Sequence, residues 1–255
     1  MSHAIIIPIY CENRNTIILC NELQNFGAEH IVVNDGLNPK SEYFNELTSI
    51  GCHLVHLKNN NGKGASLKAG IKYAHDNLYN ITGYITCDAD GQHTANDVIK
   101  ISRMLDLRNG SLILGKRDYK KSKMPLNIRI GNRLSSAYFK VITGKSCRDT
   151  QTGLRGIPAF LYDTVMKTKG SRFDFEMNFL TKCADMRVPF YFVNIIADCS
   201  NCSSNFRLIK DTYLIYRTPL RFATASIGCT IIDLVLFTIF AYILPSHMFF
   251  NIMLA

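Results

Sequence analysis

Two aspartates one residue apart follow a predicted buried strand. Residues 84–87 are aromatic, β-branched or small, as in a strand, and Asp88 and Asp90 come directly after them. Two carboxylates this close repel each other unless a cation or a donor-rich ligand lies between them. Such oxygens hold Mg²⁺ or Mn²⁺ and leave positions open for phosphates. The stretch equally suits a turn before a helix capped by Thr94, so both interpretations stand at this point.

The elements that would position these carboxylates alternate between strand and helix. Apolar strand patterns occupy residues 4–9, 30–33, 54–57, 83–87, 111–115 and 189–196. Helical patterns occupy residues 14–26, 41–50, 64–79, 95–107, 126–143, 158–167 and 173–186. This alternation predicts an α/β fold with a parallel sheet covered by helices on both faces.

Polar residues follow several of these strands. Sites in such sheets lie at the carboxyl ends of the strands, which favours a site over a solvated turn. The residues at these ends are Tyr10, Glu12, Asp35, Asn60–Lys63, Asp88, Asp90 and Lys116–Asp118. Gln92 and His93 are candidates for a further metal ligand or a substrate contact. The glycine-punctuated segment 60–70 opens a helix, and its Lys63 suits phosphate, although a simple strand-to-helix turn is the alternative.

The chain is basic, with a formal net charge of +9 over 255 residues. Basic balance suits nucleic acid, an anionic membrane or a phosphorylated substrate. No motif typical of nucleic-acid binding is present, which argues against nucleic acid. Residues 116–133 hold seven basic side chains against one Asp. A solvated face is one explanation, and a binding surface for a lipid phosphate is the other.

The nine cysteines indicate a reduced chain, because they are odd in number and lie mostly in apolar runs. Cys199 and Cys202 form one CxxC without a second pair, so the spacing does not predict zinc. The first residues lack a signal-peptide pattern, and we expect the bulk of the chain in the cytoplasm.

The C-terminal part is strongly apolar. Residues 220–244 are long enough to cross the ~30 Å hydrocarbon core as a helix, with a buried core helix as the alternative. The preceding segment 205–222 combines aromatic and basic residues, as an interfacial helix does. Its basic residues place the preceding domain on the cytoplasmic side.

A series of motifs resembles a known family. The motifs are PIYCEN (8–13), VNDG (33–36), NGKGASLKAG (61–70), DADGQH (88–93), GKRD (115–118) and DTQTGLRG (149–156). Over about residues 4–215 the chain resembles family 2 glycosyltransferases, especially polyprenol-phosphate sugar transferases of the dolichol-phosphate mannose synthase type. The tail resembles the junction into a GtrA-type membrane domain.

The resemblance implies a GT-A fold, a Rossmann-like mixed and mostly parallel sheet with helices on both faces. It implies a GT-A domain at 1–204, a juxtamembrane amphipathic helix at 205–222 and a transmembrane segment at 223–255. The implied activity is metal-dependent, inverting transfer of a hexose from a UDP- or GDP-sugar to polyprenyl phosphate at the cytoplasmic membrane face. The lipid-linked sugar would then supply cell-surface glycosylation. A homo-oligomer is compatible with this interpretation.

The resemblance also implies residue roles. The nucleotide-sugar would contact Pro8, Tyr10, Glu12, Asp35, Lys63, Asp88, Asp149, Gln151 and Arg155. The Mg²⁺ or Mn²⁺ ligands would be Asp88, Asp90 and Gln92. The catalytic set would be Asp90 with the acceptor-phosphate arginines Arg117, Arg129 and Arg133. The family usually reads Asp-Asp-Gly-Ser where this chain has Asn34, Asp35, Gly36 and Leu37, which leaves the choice of UDP or GDP open.

Three other interpretations are compatible with parts of the sequence. Asp174 or Glu176 would act as a base if the acceptor were a hydroxyl of a lipid-linked or surface glycan. A sugar nucleotidyltransferase also uses a strand-end carboxylate and a glycine-rich loop, but it needs no membrane helix. A catalytically idle membrane adaptor would not need Asp88 and Asp90.

Overall fold

The structure is a computed structural model that describes residues 3–118, 126–196, 226 and 228–240. The chain divides into two compact units, Met1–Asn205 and Phe206–Ala255. Each unit is described by itself below.

The first unit alternates strands and helices along most of its length. Its strands are β1 (His3–Ile9), β2 (Glu29–Asp35), β3 (His53–Leu57), β4 (Gly83–Thr86), β5 (Leu112–Arg117), β6 (Arg155–Pro158) and β7 (Phe190–Ile195). Its helices are α1 (Arg14–Gln24), α2 (Glu42–Ser49), α3 (Lys63–Asn77), α4 (Ala95–Leu107), α5 (Leu126–Thr143), α6 (Tyr162–Lys167) and α7 (Asp174–Asp185). A short 3₁₀ turn, Ala159–Leu161, precedes α6.

The seven strands form one sheet in the order β3-β2-β1-β4-β6-β5-β7. β6 runs antiparallel to both of its neighbours, and the other pairs are parallel. The sheet is therefore mixed and mostly parallel, as expected for a GT-A-like fold. The six predicted strands are confirmed within two residues, whereas β6 is an addition to them.

Burial on both faces explains the apolar strands. Five of the seven residues of β1 are isoleucine or alanine with at most 1% exposure, since helices cover both sides of the sheet. One apolar layer contains α1, α2 and α4, and the other contains α3 and α7. Side-chain caps begin three of the helices where the sequence changes to a helical period: Asn13 at α1, Ser41 at α2 and Thr94 at α4.

The second unit contains a described helical stretch at residues 228–240. Its large apolar side chains are about half exposed. Across the described ranges, no helix has both the length and the apolar character that crossing a bilayer requires. The predicted amphipathic helix at 205–222 and most of the predicted transmembrane segment at 223–255 lie outside the described residues.

The contact between α3 and the sheet leads to a stability prediction. A Cβ atom at Gly70 would lie 2.5 Å from Ile6 Cγ2 and 2.8 Å from Val33 Cγ2. Gly70→Ala should lower the free energy of unfolding by roughly 1–3 kcal/mol, because the helix must move off the sheet. Denaturant unfolding measures this loss.

Gly131 of α5 is the matched control, since its Cβ would meet only Gln151 Nε2, at 3.7 Å. Gly131→Ala should be neutral or stabilise by up to about 1 kcal/mol through helix propensity. Equal losses in the two variants would contradict the packing argument.

Candidate active site

The loop after β4 carries Asp88 and Asp90, and the first turn of α1 holds it in place. Asn15 Nδ2 donates to the carbonyl oxygen of Asp90 at 3.3 Å, and Thr16 Oγ1 donates to that of Ala89 at 3.2 Å. These contacts fix the loop backbone at the carboxyl edge of the sheet. The two carboxylates are therefore held at the edge where ligands bind in α/β sheets.

Lys63 connects this loop to α7. Its ammonium nitrogen lies 2.6 Å from Asp88 Oδ1 and 3.2 Å from Glu176 Oε1. Burial by itself would lower the pKa of Lys63, but Asp88 and then Glu176 raise it. Burial would raise the pKa of Asp88, but the Lys63 charge and then His93 hold it well below its ordinary range. Both groups are therefore charged at neutral pH.

Asp90 is in a different electrostatic position. Burial, and then the negative charge of Asp88, raise the pKa of Asp90. Its carboxylate accepts hydrogen bonds from the backbone N–H of Gln92, at 3.1 Å, and from the Gln92 side-chain amide. The structure thus brings the three predicted metal ligands, Asp88, Asp90 and Gln92, into one loop, in which Asp88 is paired with the Lys63 cation.

His93 lies behind Asp88 and is 4% exposed. Its Nε2 atom is 3.8 Å from Asp88 Oδ2, which is too long for a hydrogen bond. Within the described residues neither ring nitrogen of His93 has a hydrogen-bond partner. The ring therefore packs beside Asp88 and makes no hydrogen bond to it.

Gly153 forms the floor under Asp88. A Cβ atom at this position would overlap the Asp88 carboxylate. The Gly153 carbonyl also accepts a 2.7 Å hydrogen bond from Thr86 Oγ1 at the end of β4. Glycine is required at position 153 because the Asp88 side chain comes very close to its Cα atom. The motif spacing alone does not reveal this contact.

Asp35 at the end of β2 holds the glycine-rich loop. Its two carboxylate oxygens accept hydrogen bonds from the backbone N–H groups of Asn61, at 2.8 Å, and Gly62, at 2.9 Å. Gly36 has a φ of +90°, and a Cβ atom there would lie 2.5 Å from the Asn60 nitrogen. The predicted nucleoside-contact residue Asp35 therefore shapes the loop that precedes Lys63.

Asn34 stands where the family usually has an aspartate. Its side chain closes the turn after β2 by accepting from the Leu37 N–H, at 2.7 Å, and donating to the Leu37 carbonyl, at 2.9 Å. The Asn34 amide nitrogen also lies 3.0 Å from His56 Nδ1. An aspartate could not donate to the carbonyl, so the asparagine suits this turn.

The N-terminal motif lies at the same edge. Pro8 is half-buried in β1, Tyr10 is 39% exposed, and Glu12 is exposed. Burial, then Cys11, and then Asp90 and Asp88 raise the pKa of Tyr10 to about 12. Tyr10 is therefore a neutral, exposed ring beside the two aspartates.

Arg117 and Asp149 form a buried ion pair. Arg117 Nε and Nη2 donate to the two Asp149 oxygens at 2.7 and 2.8 Å, and the Asp149 side chain is 0% exposed. The pair ties the end of β5 to residues 149–152. Arg117, which was predicted to bind the acceptor phosphate, is thus paired with Asp149, which was predicted to contact the nucleotide-sugar.

Arg155 is also engaged by protein groups. Its guanidinium donates to the backbone carbonyls of Thr152 at 2.9 Å, Glu176 at 3.0 Å and Thr150 at 3.1 Å. It also lies 3.7 Å from Glu176 Oε1. Arg155 therefore supports the loop and α7, while Gln151 nearby is half-buried.

The arginines of α5 lie one helical turn apart, with Arg129 half-buried and Arg133 exposed. The helix is fastened to the loop before β6, because Asn132 Oδ1 accepts from the Thr150 N–H at 3.2 Å. Ser135 Oγ accepts from Thr150 Oγ1 at 2.9 Å. α5 is thereby joined to the segment that begins with Asp149.

Two features of the site were missed as contacts from the sequence. Glu176 was considered only as a base, and the structure makes it a partner of Lys63 and Arg155. The motif DTQTGLRG contains Gly153, but the motif does not indicate a role for it. Glu176 stands between the apolar residues Phe175 and Met177 of α7, and this is the signal that would have pointed to it.

Comparisons with known proteins agree with this architecture. The family model described as glycosyl transferase family 2 matches residues 4–164. An uncharacterized protein of Methanocaldococcus jannaschii is 31% identical over 170 residues, which cover 62% of this chain and 72% of that protein. The UDP-N-acetylglucosamine–dolichyl-phosphate N-acetylglucosaminyltransferase of Methanococcus voltae is 28% identical over 172 residues, 59% of this chain and 67% of the relative.

A solved structure shows the same fold. It is glucosyl-3-phosphoglycerate synthase from Mycobacterium tuberculosis in complex with Mn²⁺, UDP-glucose and phosphoglyceric acid. It aligns with a TM-score of 0.67 at 12% identity, over 86% of this chain and 78% of that chain. The family match covers more than half of the sequence and includes the loops that carry Lys63, Asp88 and Asp90. The chain therefore belongs to glycosyl transferase family 2.

Proposed function

We propose that this glycosyltransferase moves a hexose from a UDP- or GDP-sugar to polyprenyl phosphate, with inversion at the anomeric carbon. The transfer takes place at the cytoplasmic face of a membrane and depends on Mg²⁺ or Mn²⁺. The relative from Methanococcus voltae, whose name specifies dolichyl phosphate, supports the acceptor class. The Mn²⁺ and UDP-glucose of the Mycobacterium tuberculosis structure support a metal and a nucleotide-sugar.

The surface of α5 is the observation that carries the choice of acceptor. Leu126, Ile130 and Leu134 follow one another at intervals of four residues and are 73%, 57% and 62% exposed. Exposed leucine and isoleucine side chains at this spacing form an apolar stripe along the helix. Arg133, also exposed, lies on the same helix. An apolar stripe beside an arginine matches a lipid with an anionic phosphate head, whereas a free sugar offers nothing apolar to this stripe.

The charges at the end of β4 suit a divalent cation. Asp90 has its pKa raised by burial and by Asp88, so the loop gains from an added positive charge. Asp88, Asp90 and Gln92 supply oxygen ligands of the kind that Mg²⁺ and Mn²⁺ prefer. When bound, the ion would offset the charge of the departing diphosphate.

The residues of the chain then have separate tasks. Lys63, at the start of α3, would bind the donor phosphates, and Tyr10 and the Asp35-supported loop would contact the nucleoside. Arg129 and Arg133 would orient the acceptor phosphate, with Arg117 and Asp149 holding the neighbouring loop. A phosphate oxygen attacks the anomeric carbon as the bond to the diphosphate breaks. The acceptor is already ionised at pH 7, so no strong general base is needed.

A hydroxyl acceptor would need a base, and the two candidates are engaged otherwise. Glu176 contacts Lys63 and Arg155 and is 10% exposed at its side chain. Asp174 accepts a hydrogen bond from the backbone N–H of Arg172 at 3.0 Å. The two cations beside Glu176 stabilise its charged form and make it a weaker base, which favours the phosphate acceptor.

The proposal is tested by incubating the full chain in membranes with a panel of labelled nucleotide-sugars and a short polyprenyl phosphate. We expect label in the extracted lipid, dependent on Mg²⁺ or Mn²⁺ and abolished in Asp90→Ala. Label transferred only to glycan hydroxyls would overturn the acceptor. Full activity of Asp90→Ala at saturating metal would overturn the metal assignment.

Substitutions of Asp88 and of Asp90 should have different effects on the stability of the fold, in addition to their effects on activity. Asp88 has a lowered pKa, so its charge stabilises the fold above its ordinary value of 3.8 and this contribution is lost as the pH falls. Asp90 has a raised pKa, so the stability that it contributes below 3.8 is lost as the pH rises through its folded pKa. Without metal at pH 7, Asp88→Asn should lower the melting temperature and Asp90→Asn should keep or raise it.

The size of the Asp88→Asn loss follows from leaving the Lys63 ammonium with Glu176 as its remaining carboxylate partner. Breaking a buried pair costs roughly 3–5 kcal/mol, and the lower end applies because 21% of the Asp88 side chain is exposed. Calorimetry with and without Mn²⁺ measures the melting temperature of both variants. Mn²⁺ should raise the melting temperature of the wild type more than that of either variant. Equal melting temperatures for the two variants would refute the charge assignment.

Arg133→Gln tests the acceptor contact without disturbing a buried pair. It should lower the acceptor efficiency tenfold to a hundredfold, because a charge-assisted contact to phosphate contributes roughly 1.5–3 kcal/mol. Arg133→Lys should restore part of the loss, since an ammonium lacks the planar fork. The measurement is acceptor kinetics beside nucleotide-sugar affinity, which should stay unchanged.

Lys140→Gln is the matched control, because it removes an exposed charge from the same helix farther from the loop. Its effect on acceptor efficiency should be small. Equal losses in Lys140→Gln and Arg133→Gln would mean that general charge, and not a specific contact, governs binding.

A further inference from the structure

A buried group of two cysteines and one histidine lies apart from the site described above. Cys20 lies in α1, His30 is the second residue of β2, and Cys52 immediately precedes β3. They are 0%, 3% and 7% exposed, and their ligand atoms all lie within 4.8 Å of one another. In the described part of the chain this is the one group of three His, Cys, Asp or Glu side chains with that geometry.

The tautomer of His30 is fixed by its backbone partner. His30 Nδ1 lies 2.7 Å from the carbonyl oxygen of Ala28, and a carbonyl can only accept, so Nδ1 carries the proton. When this ring is neutral, its Nε2 atom presents a lone pair. Metal-binding histidines are commonly oriented in this way, by donation from the other nitrogen to a carbonyl.

The lone pair of His30 has no partner within the described residues. Nε2 is buried and makes no hydrogen bond there. A buried polar atom without a hydrogen bond destabilises the fold, so burial among apolar residues does not account for this ring. The atoms gathered with it are the sulfurs of Cys20 and Cys52, which are soft ligands.

We propose that Cys20, His30 and Cys52 bind one thiophilic cation of the Zn²⁺ class as a structural site. Two thiolates and one imidazole are ligands that zinc accepts, with a non-side-chain ligand or water completing the tetrahedron. The thiols lose their protons to solvent on binding, and no oxidant or reductant is needed. The inference does not depend on the proposed function.

The location separates this site from the loop of Asp88 and Asp90. His30 and Asp35 lie at opposite ends of β2, about 16 Å apart at 3.3 Å per residue. The ligands are also of a different kind, because oxygen ligands suit Mg²⁺ and Mn²⁺ while thiolates suit soft cations. A metal at the cysteine site would join α1 to the edge of the sheet formed by β2 and β3.

The consequence for the first unit is structural. The first turn of α1 carries Asn15 and Thr16, which hold the loop of Asp88 and Asp90, and Cys20 follows one turn later. A cation on Cys20 would restrain the helix that positions this loop. The stability of the unit should therefore rise when the cation is bound.

Cobalt is the probe, since Co²⁺ bound to thiolate has a charge-transfer absorption that oxygen ligands do not produce. The full chain, purified with a non-thiol reductant, carries Cys199→Ser and Cys202→Ser to remove the one CxxC pair. We expect one equivalent of Co²⁺ with this absorption, displaced by Zn²⁺. When the free Zn²⁺ concentration is about a hundred times the dissociation constant, the melting temperature should rise by about 5–10 °C.

Cys20→Ala, Cys52→Ala and His30→Gln should each abolish the thiolate absorption or weaken Co²⁺ binding at least a hundredfold. Cys183→Ala is the matched control, because Cys183 is a buried cysteine of the other apolar layer, and it should bind like the background. Far-ultraviolet circular dichroism without metal establishes that each variant is folded. Because three variants are used, the failure of one to fold leaves two that decide.

Unchanged Co²⁺ absorption in the folded Cys20→Ala and Cys52→Ala variants would overturn the proposal. So would the absence of any thiolate absorption in the reduced background protein. A Cys20–Cys52 disulfide in the protein, with no Co²⁺ binding after reduction, would identify the pair as a redox couple and would equally overturn the metal site.

Discussion

The buried ammonium of Lys63 holds together parts of the chain that are far apart in sequence. It contacts Asp88 after β4 and Glu176 on α7, and Arg155 contacts the same glutamate from β6. Buried carboxylates are costly unless they are paired, so removing the ammonium would leave Asp88 without its lysine and Glu176 with Arg155 alone. Lys63 therefore fixes the positions of three parts relative to one another: the loop with Asp88, the start of α3 and the first turn of α7.

Close backbone approach is the second constraint on the site. Glycine at 153 lets the Asp88 carboxylate lie against the backbone, and glycine at 36 lets the turn after β2 meet Asn60. Asp35 then fixes the loop that delivers Lys63. A side chain at Gly153 would displace the Asp88 carboxylate, and one at Gly36 would displace the backbone at Asn60. Both glycines therefore set the geometry of the site.

The charged groups fall into two classes with different consequences. Arg117, Asp149 and Arg155 are buried and bound to protein groups, which makes them supports of the loops around the site. Asp90, Tyr10 and Arg133 are more accessible to solvent and contribute less to holding the fold together. Their substitution is accordingly the more informative test of chemistry, because the loss of activity is separated from the loss of structure.

The sequence by itself determined six of the seven strands, most helix bounds and the loop of paired carboxylates, because apolar periodicity and turn residues act over a few neighbours. The family followed from motifs in order along the chain. Strand β6 was missed because Arg155–Pro158 has no apolar alternation and contains glycine and proline. Only the tertiary structure decided that Arg117 pairs with Asp149, that Lys63 pairs with Asp88 and Glu176, and that Cys20, His30 and Cys52 meet. Those contacts join residues from separate elements, and their partners are selected by the order of strands in the sheet, which local patterns do not encode.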